Sequence, residues 1–94
     1  MRRAKIICTI GPATRSPEML ERMVAAGMNV ARLNFSHGTP AEHAEVIQHL
    51  RALAERLHAP VSILQDLQGP KIRCGTIKGG AVLLETGAQT TITT

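Results

Sequence analysis

Met28-Asn29-Val30-Ala31-Arg32-Leu33-Asn34-Phe35-Ser36-His37 reads as a β-strand whose faces differ in chemistry. Side chains alternate along a strand, so Leu33 and Phe35 share an apolar face while Arg32, Asn34 and Ser36 share the other. Met28 and Val30 precede those polar groups on the same side, which puts the polarity at the strand's C-terminal end. Parallel α/β sheets keep their sites at that end. An arginine, an amide oxygen and a hydroxyl spaced roughly 6–7 Å apart suit an anion beside a cation. The stretch points to phosphate handling on an α/β scaffold.

Working outward, Lys5-Ile6-Ile7-Cys8-Thr9-Ile10 is a nearly continuous apolar run closed by Gly11-Pro12, as expected of a buried parallel strand. Ser16 then offers an N-cap, Pro17 suits the first helical position and Glu18 complements the helix dipole. Met19, Leu20, Met23 and Val24 form an apolar stripe that ends at Gly27. Thr39-Pro40-Ala41-Glu42 supplies a capping box for a second helix, with Val46, Ile47, Leu50, Leu53, Ala54 and Leu57 on one face. That helix is predicted to run from Pro40 to His58, where Pro60 forbids more. Val61-Ser62-Ile63-Leu64-Gln65-Asp66 reads as the next strand.

The order is βαβαβ, and right-handed crossovers place both helices on one face of a parallel sheet. Arg32, Asn34 and Ser36 then belong to the other face, the arrangement found inside a (β/α)₈ TIM barrel, which needs about 250 residues. Beyond Gly69-Pro70 the texture changes to short runs, Arg73 to Lys78, Ala81 to Glu85 and Gln89 to Thr94, separated by Gly79-Gly80 and Thr86-Gly87-Ala88. These resemble antiparallel strands of a β-rich unit. The expected organisation is a first βαβαβ portion of a barrel over 1–72 and the beginning of a β-rich unit over 73–94, the N-terminal piece of a longer protein. No internal repeat or low-complexity stretch is evident.

Composition narrows the function classes. A length of 94 residues suits one small domain or part of a larger one, and 44% hydrophobic residues argue against disorder. Cys8 and Cys74 form neither a disulfide framework nor a metal spacing, which fits a reducing compartment. Ile6 to Ile10 is too short for a signal-peptide core after Met1-Arg2-Arg3-Ala4-Lys5, and no stretch approaches a membrane span, so a cytoplasmic location is expected. The net charge of +4 comes from scattered residues, and Phe35 is the only Phe, Tyr or Trp. Without a stacking platform, nucleic acid is not an expected partner. Asp66 is the only aspartate and follows an apolar run, unusual ground for a carboxylate. His43 and His49 lie six apart, about 120° round a helix, so these and His58 read as solvated helix histidines and not as a zinc site. Met19, Met23 and Met28 read as core packing.

Lys5 to Thr14, Gly27 to Gly38 and Asp66-Leu67-Gln68-Gly69-Pro70-Lys71-Ile72-Arg73 together resemble the N-terminal third of bacterial pyruvate kinases. The resemblance implies a (β/α)₈ barrel whose third strand leads into an inserted β-rich lid, and transfer of a phosphoryl group from phosphoenolpyruvate to ADP, giving pyruvate and ATP. By resemblance, Arg32 would hold the phosphoryl group in flight, a task suited to a planar, permanently charged fork. Asn34, Ser36, Asp66 and the Leu67 carbonyl resemble the family's monovalent-cation ligands. His37 and Arg73 resemble its nucleotide contacts, with Asn34, Phe35 and Ser36 in the same nucleotide-binding stretch and the helix N-terminus at Thr39-Pro40 favouring anions.

The family's magnesium ligands, its phosphate-stabilising lysine and its substrate-positioning threonine belong to later strands. Magnesium and a homotetrameric full-length protein are therefore implied by resemblance, and the 94 residues alone are expected to be inactive. Lys71 departs from the many members that carry glutamate there and require potassium. Its ammonium is expected to supply that positive charge as part of the catalytic apparatus, making potassium dispensable. The alternatives are a stand-alone phosphate- or nucleotide-binding module derived from the enzyme and, less favoured without aromatics, a charge-driven nucleic-acid module.

Overall fold

Each helix begins on a side-chain cap. In the computed structural model, which describes residues 2–93, α1 (Pro17–Ala26) starts at Ser16, whose hydroxyl accepts the Met19 N–H at 3.3 Å. α2 (Pro40–Arg56) starts at Thr39, whose hydroxyl accepts the Glu42 N–H while the Glu42 carboxylate accepts the Thr39 N–H at 2.8 Å. Orphan donors at both helix starts are thereby satisfied locally. Met1 and Thr94, the outer ends of the two expected segments, lie outside the described residues.

α1 closes in a Schellman arrangement. Gly27 adopts φ 112°, its N–H reaches the Val24 carbonyl, and the Met28 N–H reaches the Met23 carbonyl at 2.9 Å. This turn buries Met28 in the core at 4% exposure, so Met28 does not sit beneath Val30 on the polar-bearing face as strand alternation predicts. The strand begins only at Val30. α2 likewise stops at Arg56, short of the expected His58. His58 turns to φ 48°, and Pro60 disfavours helical backbone at Ala59.

β1 (Ile7–Ile10), β2 (Val30–Asn34) and β3 (Ser62–Asp66) pair in parallel in the order β1-β2-β3. The register sets Ile7, Val30 and Ser62 level, then Thr9, Arg32 and Leu64, then Asn34 with Asp66. Ala31 and Leu33 point the other way into a core with Ile10, Leu20, Met28, Val46, Leu50 and Leu53. That core draws on β1, β2, α1 and α2, so both helices cover one sheet face. The opposite face is uncovered, with Ile7 60% and Leu64 44% exposed.

Residues 67–93 form no strand. The turn signals are obeyed, with Gly80 N–H bonded to the Ile77 carbonyl and Ala88 N–H to the Glu85 carbonyl, and Gly79, Gly80 and Gly87 in the left-handed region. The runs between those turns stay exposed and find no lateral partner among the described residues, and a strand without a neighbour has no ladder to stabilise it. A Cα radius of gyration of 18.4 Å reflects this extended segment. A compact chain of this length would give about 12 Å. No helix is long and apolar enough to cross a membrane, among the described residues.

The uncovered Ile7, Val30 and Leu64 face should make the 94-residue chain self-associate when prepared alone. Size-exclusion chromatography should show species above monomer mass, and circular dichroism a broad thermal transition. A monomer with one sharp melt would contradict this.

Candidate functional site

Burial of Ala31 and Leu33 on the helix side forces the side chain between them, Arg32, onto the uncovered face. There its Nε–H donates to Asp66 Oδ2 at 3.0 Å, Nη2 donates to the same oxygen, and Nη1 donates to Thr9 Oγ1 at 3.1 Å. Each strand thus supplies one member of a contiguous polar group. The Arg32 and Asp66 side chains are 31% and 42% exposed, and a pair so wetted is worth about 0–1 kcal/mol, cheap to exchange for another partner. Asp66 Oδ1 has no hydrogen-bond partner among the described residues.

Asn34, level with Asp66, ends β2. Its Oδ1 accepts the Ser36 N–H at 3.1 Å and its carbonyl accepts the His37 N–H at 3.2 Å, while the Phe35 N–H donates to the Asp66 carbonyl at 2.9 Å. The chain therefore turns at Phe35 and Ser36 instead of continuing as strand. Ser36 is not placed beside Arg32 by alternation, as the sequence predicts; it joins the rim through its backbone bond to Asn34. The structure brings Arg32, Asn34, Asp66 and the Ser36 backbone to one rim, at the C-terminal ends of the strands.

The loop that follows is tied to α2. Glu42 Oε1 accepts from Arg15 Nη1 at 2.6 Å while Oε2 holds Thr39, so one carboxylate joins the β1–α1 loop to the β2–α2 loop. Arg15 first and Thr39 second hold the Glu42 carboxyl below the usual glutamate range. The Phe35 and His43 rings stack with centroids 4.3 Å apart, and His43 Nε2 lies 2.7 Å from the His37 carbonyl oxygen. His43 is half-buried, not the solvated histidine expected of an exposed helix face. His49 is also half-buried, its Nδ1 shielded from water and without a hydrogen-bond partner among the described residues, whereas His58 is exposed.

Between the loops that follow β1 and β2 lies a cavity of about 400 Å³ bordered by Thr9, Asn34, His37 and His43 over the core side chains Ile10 and Leu33, and neither Arg32 nor Asp66 lines it. Its size suits a small ligand. Leu67, Lys71 and Arg73 lie in the exposed segment after β3, and Lys71 and Arg73 make no ion pair or side-chain hydrogen bond among the described residues. The structure does not join those two cations to the rim. Among the described residues no three His, Cys, Asp or Glu side chains group as a metal site. The oxygens at the rim, Asn34 Oδ1 and the Asp66 carboxylate, are instead hard donors of the kind oxygen-seeking cations take.

Thr9, Arg15, Glu42 and His43 were not legible as site residues. Thr9 is the hydroxyl-bearing residue within the apolar run of β1, which is a usable signal. Glu42 already stands out as a cap, but its tie to Arg15, 27 residues away, leaves no local trace.

Parallel strands, helices on one face and a polar rim at the strand ends on the other define an α/β protein. A family model described as pyruvate kinase, barrel domain, matches residues 1–94. The pyruvate kinase of Staphylococcus saprophyticus is 53% identical over 92 residues, covering 98% of this chain and 16% of that protein. Those of Staphylococcus haemolyticus and Staphylococcus aureus strain USA300 are each 53% identical over 89 residues, covering 95% of this chain and 15% of theirs. The chain belongs to the pyruvate kinase family. It spans 16% of the length of the first of these relatives, a smaller share than the third suggested by its motifs.

Because the Glu42 carboxyl is depressed, its ties to Arg15 and Thr39 persist above its midpoint and are lost as pH falls through it. A ¹³C-detected titration should place the Glu42 midpoint below the ordinary glutamate value, and Arg15→Ala should raise it. An unmoved midpoint in that variant would remove Arg15 as the cause.

Proposed function

We propose that this chain is the opening of a pyruvate kinase and supplies the phosphoryl-gripping part of its site. In this reading residues 1–72 are the first βαβαβ portion of a (β/α)₈ barrel, and 73–94 begin the inserted β-rich lid. The observation that carries it is the Arg32 guanidinium held at the strand ends by Thr9 and Asp66, in a chain of this family. The open Ile7, Val30 and Leu64 face fits a barrel interior that further strands would close.

During turnover the bond between the enol oxygen of phosphoenolpyruvate and phosphorus breaks. A terminal oxygen of ADP bonds to that phosphorus, and the released enolate takes up a proton to become pyruvate. Arg32 grips the transferring group, its fork offsetting charge spread over the equatorial oxygens. To do so it exchanges the weakly worth Asp66 contact for the substrate's oxygens. Asp66, Asn34, Ser36 and the Leu67 carbonyl would hold a monovalent cation where one binds, and residues of later strands would hold magnesium. Either ion would supply positive charge that offsets phosphate oxygens. His37 and Arg73, with the Asn34 to Ser36 stretch, contact the nucleotide, and closure of the segment after β3 carries Arg73 and Lys71 to the rim. Lys71 places a fixed positive charge where other members recruit potassium. The assembled protein is a cytoplasmic homotetramer.

Arg32→Lys in the full-length protein should lower kcat on the order of 10–100-fold with a smaller change in KM for phosphoenolpyruvate, because a point charge cannot replace the fork. Unchanged turnover would remove Arg32 from the mechanism. Exchanging potassium for sodium in the steady-state assay should leave kcat nearly unchanged. A large loss of turnover would rule out the role given to Lys71.

A further inference from the structure

His43 occupies the first turn of α2, directly against the loop that carries His37. Its Nε2 sits 2.7 Å from the His37 carbonyl oxygen. A carbonyl oxygen only accepts, so Nε2 bears the proton of that contact. The other side of the contact is equally specific, since the only Phe, Tyr or Trp of the chain, Phe35, lies against the His43 ring with planes 20° apart. Gly38 completes the enclosure. It adopts φ 74°, and a Cβ there would stand 3.3 Å from His43 Nε2 and 3.5 Å from Cε1, so backbone and imidazole both restrict the residue after His37. A histidine that merely solvates a helix face would have neither the stack nor the carbonyl.

Phe35 and His37, the partners of the His43 ring, bracket Ser36, and His37 borders the 400 Å³ cavity. Turn bonds to Asn34 set the start of this loop and Glu42 sets its end at Thr39, which leaves the His37 peptide as the part that those bonds do not hold through its carbonyl.

We propose that His43 is a positioning residue for nucleotide recognition: by donating Nε2–H to the His37 carbonyl and backing Phe35, it fixes how His37 meets a nucleoside diphosphate in the cavity. This rests on the reading of His37 as a nucleotide contact. The donor matters beyond the stack, because the stack alone leaves the His37 carbonyl without a hydrogen bond among the described residues.

The test uses the full-length protein that carries this sequence, with His43→Phe, which keeps a flat ring against Phe35 but lacks the donor, and His43→Gln, whose amide restores an N–H of similar reach. His43→Phe should raise the KM for ADP about tenfold, the scale of one lost hydrogen bond, and leave the KM for phosphoenolpyruvate within about twofold. His43→Gln should recover most of the loss. Independently of activity, long-range ¹H–¹⁵N spectra of the unsubstituted protein should show His43 protonated at Nε2, and amide exchange at His37 and Gly38 should quicken in His43→Phe only. A proton on Nδ1 alone, unchanged exchange in His43→Phe, or a parallel rise of both KM values would overturn the proposal. An unsubstituted protein without phosphoryl transfer would overturn the functional reading instead, while the spectra and exchange rates still decide whether His43 positions the loop.

Discussion

The contact between the Arg32 guanidinium and the Asp66 carboxylate depends on strand register, and so does which side chains gather at the rim. A slip of one residue between strands would move every side chain of the slipped strand to the opposite face. Arg32 would then meet the apolar surface of Leu20 and Leu50, where an unpaired charge is costly. Burying Ala31 and Leu33 against α1 and α2 therefore does more than stabilise the sheet. It holds the guanidinium on the open side, level with Thr9 and one step below the Asn34 and Asp66 pair. The core thus sets the chemistry at the rim without touching it.

Helix capping performs a comparable double task. Glu42 closes a capping box on Thr39 through one carboxylate oxygen and takes Arg15 with the other, so the start of α2 also links the loops after β1 and β2. One residue further on, His43 reaches back to Phe35 and His37. The loop that leaves β2 is in this way tied at several points to a helix that is itself anchored by Val46, Leu50 and Leu53. Preorganisation of that kind lowers the ordering cost when a ligand binds.

Where sequence and structure agree, the signals were local. Ser16 and Thr39 mark the helix starts, Gly27 marks the stop of α1, and the alternation of Ala31, Arg32, Leu33 and Asn34 assigns each side chain to its face. Asp66 was conspicuous as a lone aspartate at the end of an apolar run, and it pairs with Arg32. The departures have non-local causes. Met28 was drawn inward by the Schellman turn, Ser36 left the strand when Asn34 took its N–H, and His43 found Phe35 across a loop. The runs after Pro70 have strand-like composition but no neighbour among the described residues, and a ladder requires one. Lys71 and Arg73 stand apart from the rim for the same reason.

The proposed grip requires Arg32 to give up Asp66 for the phosphoryl group of phosphoenolpyruvate. It is tested most directly by titrating the full-length protein with phosphoenolpyruvate while following the Arg32 Nε–H resonance. A saturable shift of that resonance is expected at the concentration where phosphoenolpyruvate binds. A resonance that stays in place while phosphoenolpyruvate saturates the protein would contradict it.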